Sequence, residues 1–168
     1  MTAANPTTFV IGAGPVATAL AGALRLGGVP VLGLWARRPA QARAAGATAG
    51  VAAFSSAPPD LLLETQVVIL AVRDQAIGEV ATMLAGTGLI GKRHVMLHCG
   101  GAASARERLG AVAEQVGGVG TLLPLSAISS TGIRAAFASG APASIANQVP
   151  RSVYSYIVQH NLYQGAPA

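Results

Sequence analysis

Not one aspartate or glutamate occurs in the first 59 residues of this 168-residue chain. Whatever that stretch binds, it does not bind through a carboxylate. Cysteine occurs once, at Cys99, which excludes an internal disulfide and a cysteine zinc site and fits a reducing, cytoplasmic setting. Aromatic residues are 4% of the chain and charged residues 10%. Eleven basic residues outnumber six acidic ones, but the longest basic runs are pairs, Arg37–Arg38 and Lys92–Arg93. Such scattered charge gives no nucleic-acid face and no polybasic membrane anchor. A phosphate-bearing small molecule suits paired arginines better. Hydrophobic residues reach 52% and the mean hydropathy is +0.53, yet alanine and glycine supply much of it, which indicates close backbone packing rather than lipid exposure. The length suits one main domain with one core.

The stretch "FVIGAGPVATALAGALRLGG", Phe9 to Gly28, is apolar enough to be a secretion signal, a membrane helix, or a strand turning into a helix. A secretion signal needs basic residues ahead of its apolar core, and none occurs before Arg25. A spanning helix needs about 20 apolar residues, and Pro6, Gly12, Gly14 and Pro15 would break one half of it. The third reading remains. Thr8 to Ile11 is a β-branched and aromatic run suited to a buried strand. Gly12-Ala13-Gly14-Pro15-Val16-Ala17 then fits G-x-G-x-x-G/A, and apolar residues recur at helical spacing from Val16 to Leu26 before Gly27 and Gly28.

That pattern has a physical use. The first amides of a helix lack partners within it, and the macrodipole adds positive potential, so the end receives an anion such as a pyrophosphate. Gly12 allows the sharp turn, Gly14 allows close approach to phosphate, and Ala17 lets helix and strand pack closely. Pro15 is tolerated in the first turn. The second strand, within "VPVLGLWARR", should carry an acid near its end if the ligand is NAD. Instead Ala36 is followed by Arg37 and Arg38, whose planar guanidinium groups suit the extra 2′-phosphate of NADP. The alternative is that both arginines lie over a solvated loop.

The rest of the chain alternates in the same way. Helices are expected at Pro39–Gly46, Arg73–Leu84 and Ala103–Val116, with a brief helix in "APPDLLLET". Strands are expected at Val51–Phe54, Val67–Val72, His94–Cys99 and in "VGTLLPL". This predicts an α/β Rossmann fold, a doubly wound, mainly parallel sheet with helices on both faces. The domain is expected over residues 1–126, followed by a linker over 127–150 and a C-terminal helix or tail over 151–168.

"FVIGAGPVATALAGAL", with "LAVRDQAIGEVA" and "MLHCGGAASARERL" further on, resembles the Rossmann domain of the pyrroline-5-carboxylate reductase and 6-phosphogluconate dehydrogenase-like superfamily. Within it the chain is most similar to the group known as domain of unknown function 2520. The resemblance covers roughly the first 125 residues. It implies an NADP-dependent reductase domain in which the loops after the fourth and fifth strands border the cofactor. Together with the glycine turn and the paired arginines, the expected cofactor contacts are Gly12, Ala13, Gly14, Pro15, Val16, Arg37, Arg38, Ala71, Val72, Arg73, His98, Cys99 and Gly100. Three positions depart from the group's pattern: Arg73 stands where proline is usual, Gly100 where serine is usual, and Leu123 where histidine usually precedes the proline. The last two remove polar groups from the region of the reaction.

His98 and Cys99 have the chemistry for catalysis. As the end of a buried strand, they read better as a structural or cofactor-side hydrogen bonder and a packing residue. Asp74 is either the N-cap of the next helix or a ligand contact. No catalytic residue and no metal site is assigned. In the superfamily a long helical domain follows, closing the substrate site and often making the dimer, whereas only residues 126–168 follow Leu125 here. The chain reads as a truncated product, an engineered fragment, or a minimal form whose terminal helix docks on itself or a second subunit. A helical stripe through Val153, Ile157 and Asn161 is expected there. Tyr154, Ile157 and Tyr163, if exposed, would form a homodimer surface. The leading functional reading is an NADP-dependent oxidoreductase, or its cofactor domain, acting on a small molecule. The alternatives are a non-catalytic dinucleotide-binding or sensing module and an S-adenosylmethionine-dependent methyltransferase, the last disfavoured by Arg37 and Arg38.

Overall fold

The computed structural model describes residues 4–99, 103–117 and 130–163. The chain divides into two units, residues 1–121 and 122–168. In the first, β1 (Thr8–Ile11) is buried at all four positions, as its β-branched and aromatic composition favours. There follow α1 (Pro15–Leu26), β2 (Val31–Trp35), α2 (Pro39–Ala49) and the short β3 (Ala53–Phe54). A 3-10 helix at Asp60–Glu64 leads to β4 (Val67–Leu70), α3 (Asp74–Gly86), β5 (Val95–His98) and α4 (Ala103–Gln115). The strand expected within residues 119–125 lies outside the described residues.

The sheet order is β3-β2-β1-β4-β5, and every pairing is parallel. The chain therefore winds outward from β1 through β2 to β3, then crosses back to lay β4 on the other side of β1. This is the doubly wound Rossmann arrangement, and the reversal at β1 parts the loops at the strands' carboxyl ends and opens a crevice between them.

The pleat sends Phe9 and Ile11 to one face and Val10 to the other. The two faces are filled differently. On the first, Phe9 and Ile11 join Leu62, Val68, Leu70, Ile77 and Leu84, and the Phe9 ring lies 5.9 Å from that of Phe54. On the second, Val10 and Leu34 meet Ala17 and Ala21 of α1 and Ala42, Ala45 and Ala49 of α2. Much of the alanine noted in the sequence is spent here. It brings two helices close to the sheet, so close that a Cβ on Gly46 would stand 2.7 Å from that of Ala53.

β5 departs from expectation. The sequence pattern predicts a buried strand, but Val95 and Leu97 are exposed and only Met96 and His98 are half-buried. It ends the described sheet, and α3 and α4 pack together on the face to which Met96 belongs, while Val95 and Leu97 on the other remain exposed.

The second unit contains α5 (Ser130–Ala138), a 3-10 helix at Pro142–Ile145 and α6 (Arg151–Gln159). Residues 127–150, read as a linker, thus hold ordered helix from Ser130 onward; the Ser-, Ala- and Gly-rich composition concealed the helical spacing of Ile133 and Phe137. Phe137, Ile145 and Ile157 form a small core, with Tyr154 and Leu162 against it, and the Phe137 and Tyr154 rings are 5.7 Å apart. The expected stripe through Val153 and Asn161 is not the buried face: Val153 is exposed and Asn161 lies beyond the helix at a φ of 50°. Of the three residues expected at a homodimer surface, only Tyr163 is exposed, Ile157 being buried and Tyr154 half-buried.

Phe9 is fully buried at the centre of the sheet, so Phe9→Ala should destabilise the first unit by about 3–5 kcal/mol through lost burial and a residual cavity. Denaturant unfolding followed by the emission of Trp35, the chain's one tryptophan and itself 3% exposed, measures this directly.

Candidate functional site

Single backbone bonds continue the sheet past three strand ends. The Gly12 amide donates to the Trp35 carbonyl at 2.8 Å, that of Ala71 to Ile11 at 2.8 Å, and that of Cys99 to Leu70 at 3.1 Å. The loops so held, with the first turns of α1 and α2, line a cleft of about 1330 Å³.

At its centre the chain turns from β1 into α1. Gly12 has a φ of +136°, and a Cβ there would collide with the Ala71 carbonyl and lie 3.2 Å from Ala17 Cβ. Its lack of a side chain is therefore a requirement of the fold. Gly14 is different. Its φ of −80° and ψ of 175° suit any residue, and a Cβ would meet no protein atom within 4 Å. Nothing in the protein needs glycine at this position, which fronts the cleft. Gly14 is the N-cap of α1, Pro15 follows it, no side chain caps the helix, and no acid occupies the first turn. The Thr18 amide and hydroxyl both donate to the Gly14 carbonyl, at 3.0 Å each. That leaves the amides of Val16 and Ala17 without an intrahelical acceptor, Val16 on the cleft and Ala17 buried behind it, so an anion fits against the turn at Val16.

The second wall is Ala36, Arg37 and Arg38, where β2 runs into α2. Arg38 is the N-cap residue of α2, which also starts with proline and also has no side-chain cap and no acid in its first turn. Arg37 Nη1 donates to Glu79 Oε1 on α3 at 3.2 Å, the one ion pair among the described residues. Arg38 makes no side-chain hydrogen bond or ion pair with any described residue. Arg73 and Asp74 stand at the opposite rim. Arg73, not Asp74, is the N-cap of α3, and Asp74 is its first helical residue without a side-chain cap bond.

Eleven of the thirteen residues expected at a cofactor line this one cleft: Gly12 through Val16, Arg37, Arg38, Ala71, Val72, Arg73 and Cys99. Gly100 lies outside the described residues. His98 is half-buried and does not line it; among the described residues its Nδ1 is buried without a partner, as is Trp35 Nε1 at the end of β2. Cys99, expected to be a packing residue, is exposed. Desolvation of its sulfur nevertheless raises the thiol pKa, which disfavours the nucleophilic thiolate form. Thr18 and Gln41 also line the cleft; each lies in the first turn of a helix that starts there, a cue available from helix geometry. Glu79 gave no sequence signal, since only the fold brings it across 42 positions to Arg37.

A parallel doubly wound sheet, a glycine turn into an uncapped helix and a basic end to the second strand define a nicotinamide-dinucleotide-binding domain of the oxidoreductase type. The family described as NADP oxidoreductase, coenzyme F420-dependent, matches residues 7–95, more than half of the chain, and the chain belongs to that family. No curated protein matches. Among solved structures, prephenate dehydrogenase from A. aeolicus superposes with a TM-score of 0.56 at 13% identity, over 67% of this chain and 40% of that one. A Bacteroides fragilis protein assigned as an NADP oxidoreductase gives 0.52 at 15% identity, over 94% of this chain and 74% of that one. A Desulfitobacterium hafniense protein assigned as an NADPH-dependent oxidoreductase gives 0.51 at 18% identity, over 70% and 33%. These likenesses concern the fold. The chain spans less than half the length of the first and third of these proteins.

The two glycines should separate fold from binding. Gly12→Ala is expected to cost about 2 kcal/mol or more of stability in denaturant unfolding. Gly14→Ala should leave the unfolding midpoint within experimental scatter and weaken dinucleotide binding about tenfold or more, a loss of about 1.4 kcal/mol or more, when both are titrated calorimetrically.

Proposed function

We propose that this chain is an NADP(H)-binding oxidoreductase, or the cofactor domain of one, acting by hydride transfer on a small imine, carbonyl or hydroxy acid. The observation that carries the reading is the turn at Gly12–Gly14 into the uncapped start of α1 on the cleft: at Gly14 a Cβ would meet no protein atom, and its absence leaves the backbone bare for a ligand seated against the first turn of α1. The pyrophosphate takes the start of α1 at Gly14 and the Val16 amide, and the 2′-phosphate takes the pair Arg37 and Arg38, with no carboxylate nearby on β2 to favour NAD instead. A bound nicotinamide would supply the hydride; the chain's own residues hold the dinucleotide at the strand ends and shield it from water. Within the family, "AVRDQAI" and "HCGGA" support placing the chain nearest the domain of unknown function 2520 group. A cytoplasmic location accords with the single unpaired cysteine, and among the described residues no helix is long and apolar enough to cross a membrane. The exposed Tyr156 and Tyr163 of the second unit are where a homodimer contact would fall.

A second reading, a dinucleotide-binding module without turnover, has one observation in its favour. The titratable groups lining the cleft are three arginines, the exposed Asp74 and the Cys99 thiol, and none is an evident proton donor among the described residues. Calorimetry should show NADPH bound at least about tenfold more tightly than NADH, with S-adenosylmethionine not bound, and Arg38→Glu should abolish the preference. Equal affinities for the two dinucleotides would remove the 2′-phosphate assignment. Oxidation of bound NADPH by a panel of imines and ketoacids then separates an enzyme from a sensor.

A further inference from the structure

The two arginines at the end of β2 are not equivalent. Arg38 lines the cleft with no side-chain partner among the described residues, whereas Arg37 is engaged by Glu79. Glu79 does not line the main cleft. It lines a side pocket of about 170 Å³ that opens between the end of β2 and α3, with Arg37, Trp35 and Val80 among its walls. Arg37 borders both spaces. Its guanidinium is thus placed between an internal carboxylate on one side and the space assigned above to a phosphate on the other. The ion pair is monodentate, at 3.2 Å, with both side chains more than 60% exposed. Such a pair is weak and exchanges readily. A phosphate dianion offers a guanidinium a bidentate partner of higher charge, so the two acceptors compete for one donor.

We infer that Glu79 is a specificity-determining residue that acts through Arg37: it occupies the guanidinium in the absence of ligand and so limits the preference for a 2′-phosphorylated dinucleotide. Selectivity therefore rests mainly on Arg38, and Arg37 contributes only what remains after it is shared with, or released from, Glu79. A dinucleotide lacking the 2′-phosphate leaves the ion pair in place, so Glu79 weighs on NADPH binding and not on NADH binding. The inference rests on the dinucleotide reading above and adds a residue to it. Glu79 lies on the solvent side of α3, away from Ile77, Val80 and Leu84, which carry that helix's packing.

The test is the ratio of NADPH to NADH affinity in four proteins: the wild type, Glu79→Gln, Arg37→Ala, and the double variant. Binding is read calorimetrically, with Trp35 emission confirming that each is folded. Glu79→Gln should raise the ratio about two- to fivefold, the range that an exposed ion pair supplies, and should change nothing in the Arg37→Ala background. An unchanged ratio overturns the inference. So does a lowered one, which would mean that Glu79 helps Arg37 toward the phosphate, or an equal gain without Arg37, which would mean a general effect of charge. A wild type that binds NADH but shows no preference for NADPH, or binds neither, overturns the underlying reading as well, so the two failures are told apart by the wild-type titration alone.

Discussion

The first turn of α1 carries amides that neither the helix nor any described side chain satisfies, and the architecture of the first unit serves to hold that turn at the mouth of a crevice. Unpaired amides at a helix start cost little while they face water and become useful when an anion arrives. What makes this start accessible is the close packing behind it. Gly12 lets β1 turn against the Ala71 carbonyl, and Ala17 sits fully buried against that turn. A bulkier residue at either place would push α1 outward and take its amides away from the crevice.

The unequal faces of the sheet follow from the same demand. Large aliphatic side chains and Phe9 fill the α3 face and supply most of the apolar burial. Alanine fills the α1 and α2 face, where distance rather than burial is at stake. Two helices that begin with proline and without side-chain caps are thereby brought to the same edge of the sheet. Arginines at the end of β2 then add mobile charge to the fixed dipoles. The Arg37–Glu79 contact shows that this charge is already partly engaged before any ligand arrives.

Much of this was legible in the sequence because each element carries its own period. "TFVI" and "VVIL" are continuous β-branched and apolar runs, Pro15 and Pro39 mark helix starts, and Gly27 follows the first helix, whereas α2 runs past the expected Gly46 to Ala49. The cleft was legible because Rossmann chemistry gathers local motifs at strand ends, where sequence order maps onto space. Features that depend on distant neighbours were not. The exposure of Val95 and Leu97 depends on what covers the sheet beyond β5, α5 was hidden by its loop-like composition, and the Glu79 partner of Arg37 exists only once α3 is folded beside β2. The polarity of the cleft near Cys99 was misjudged for a related reason: a strand's last residue is buried or exposed according to the loops around it.

The most direct measurement of the central claim is an amide NMR titration of the isotopically labelled chain with NADPH. If a pyrophosphate rests on the start of α1, the largest shifts fall on the amides of Gly14, Val16 and Ala17, with smaller ones at Arg37 and Arg38. Binding that leaves those three amides unmoved while shifting residues elsewhere would contradict the account.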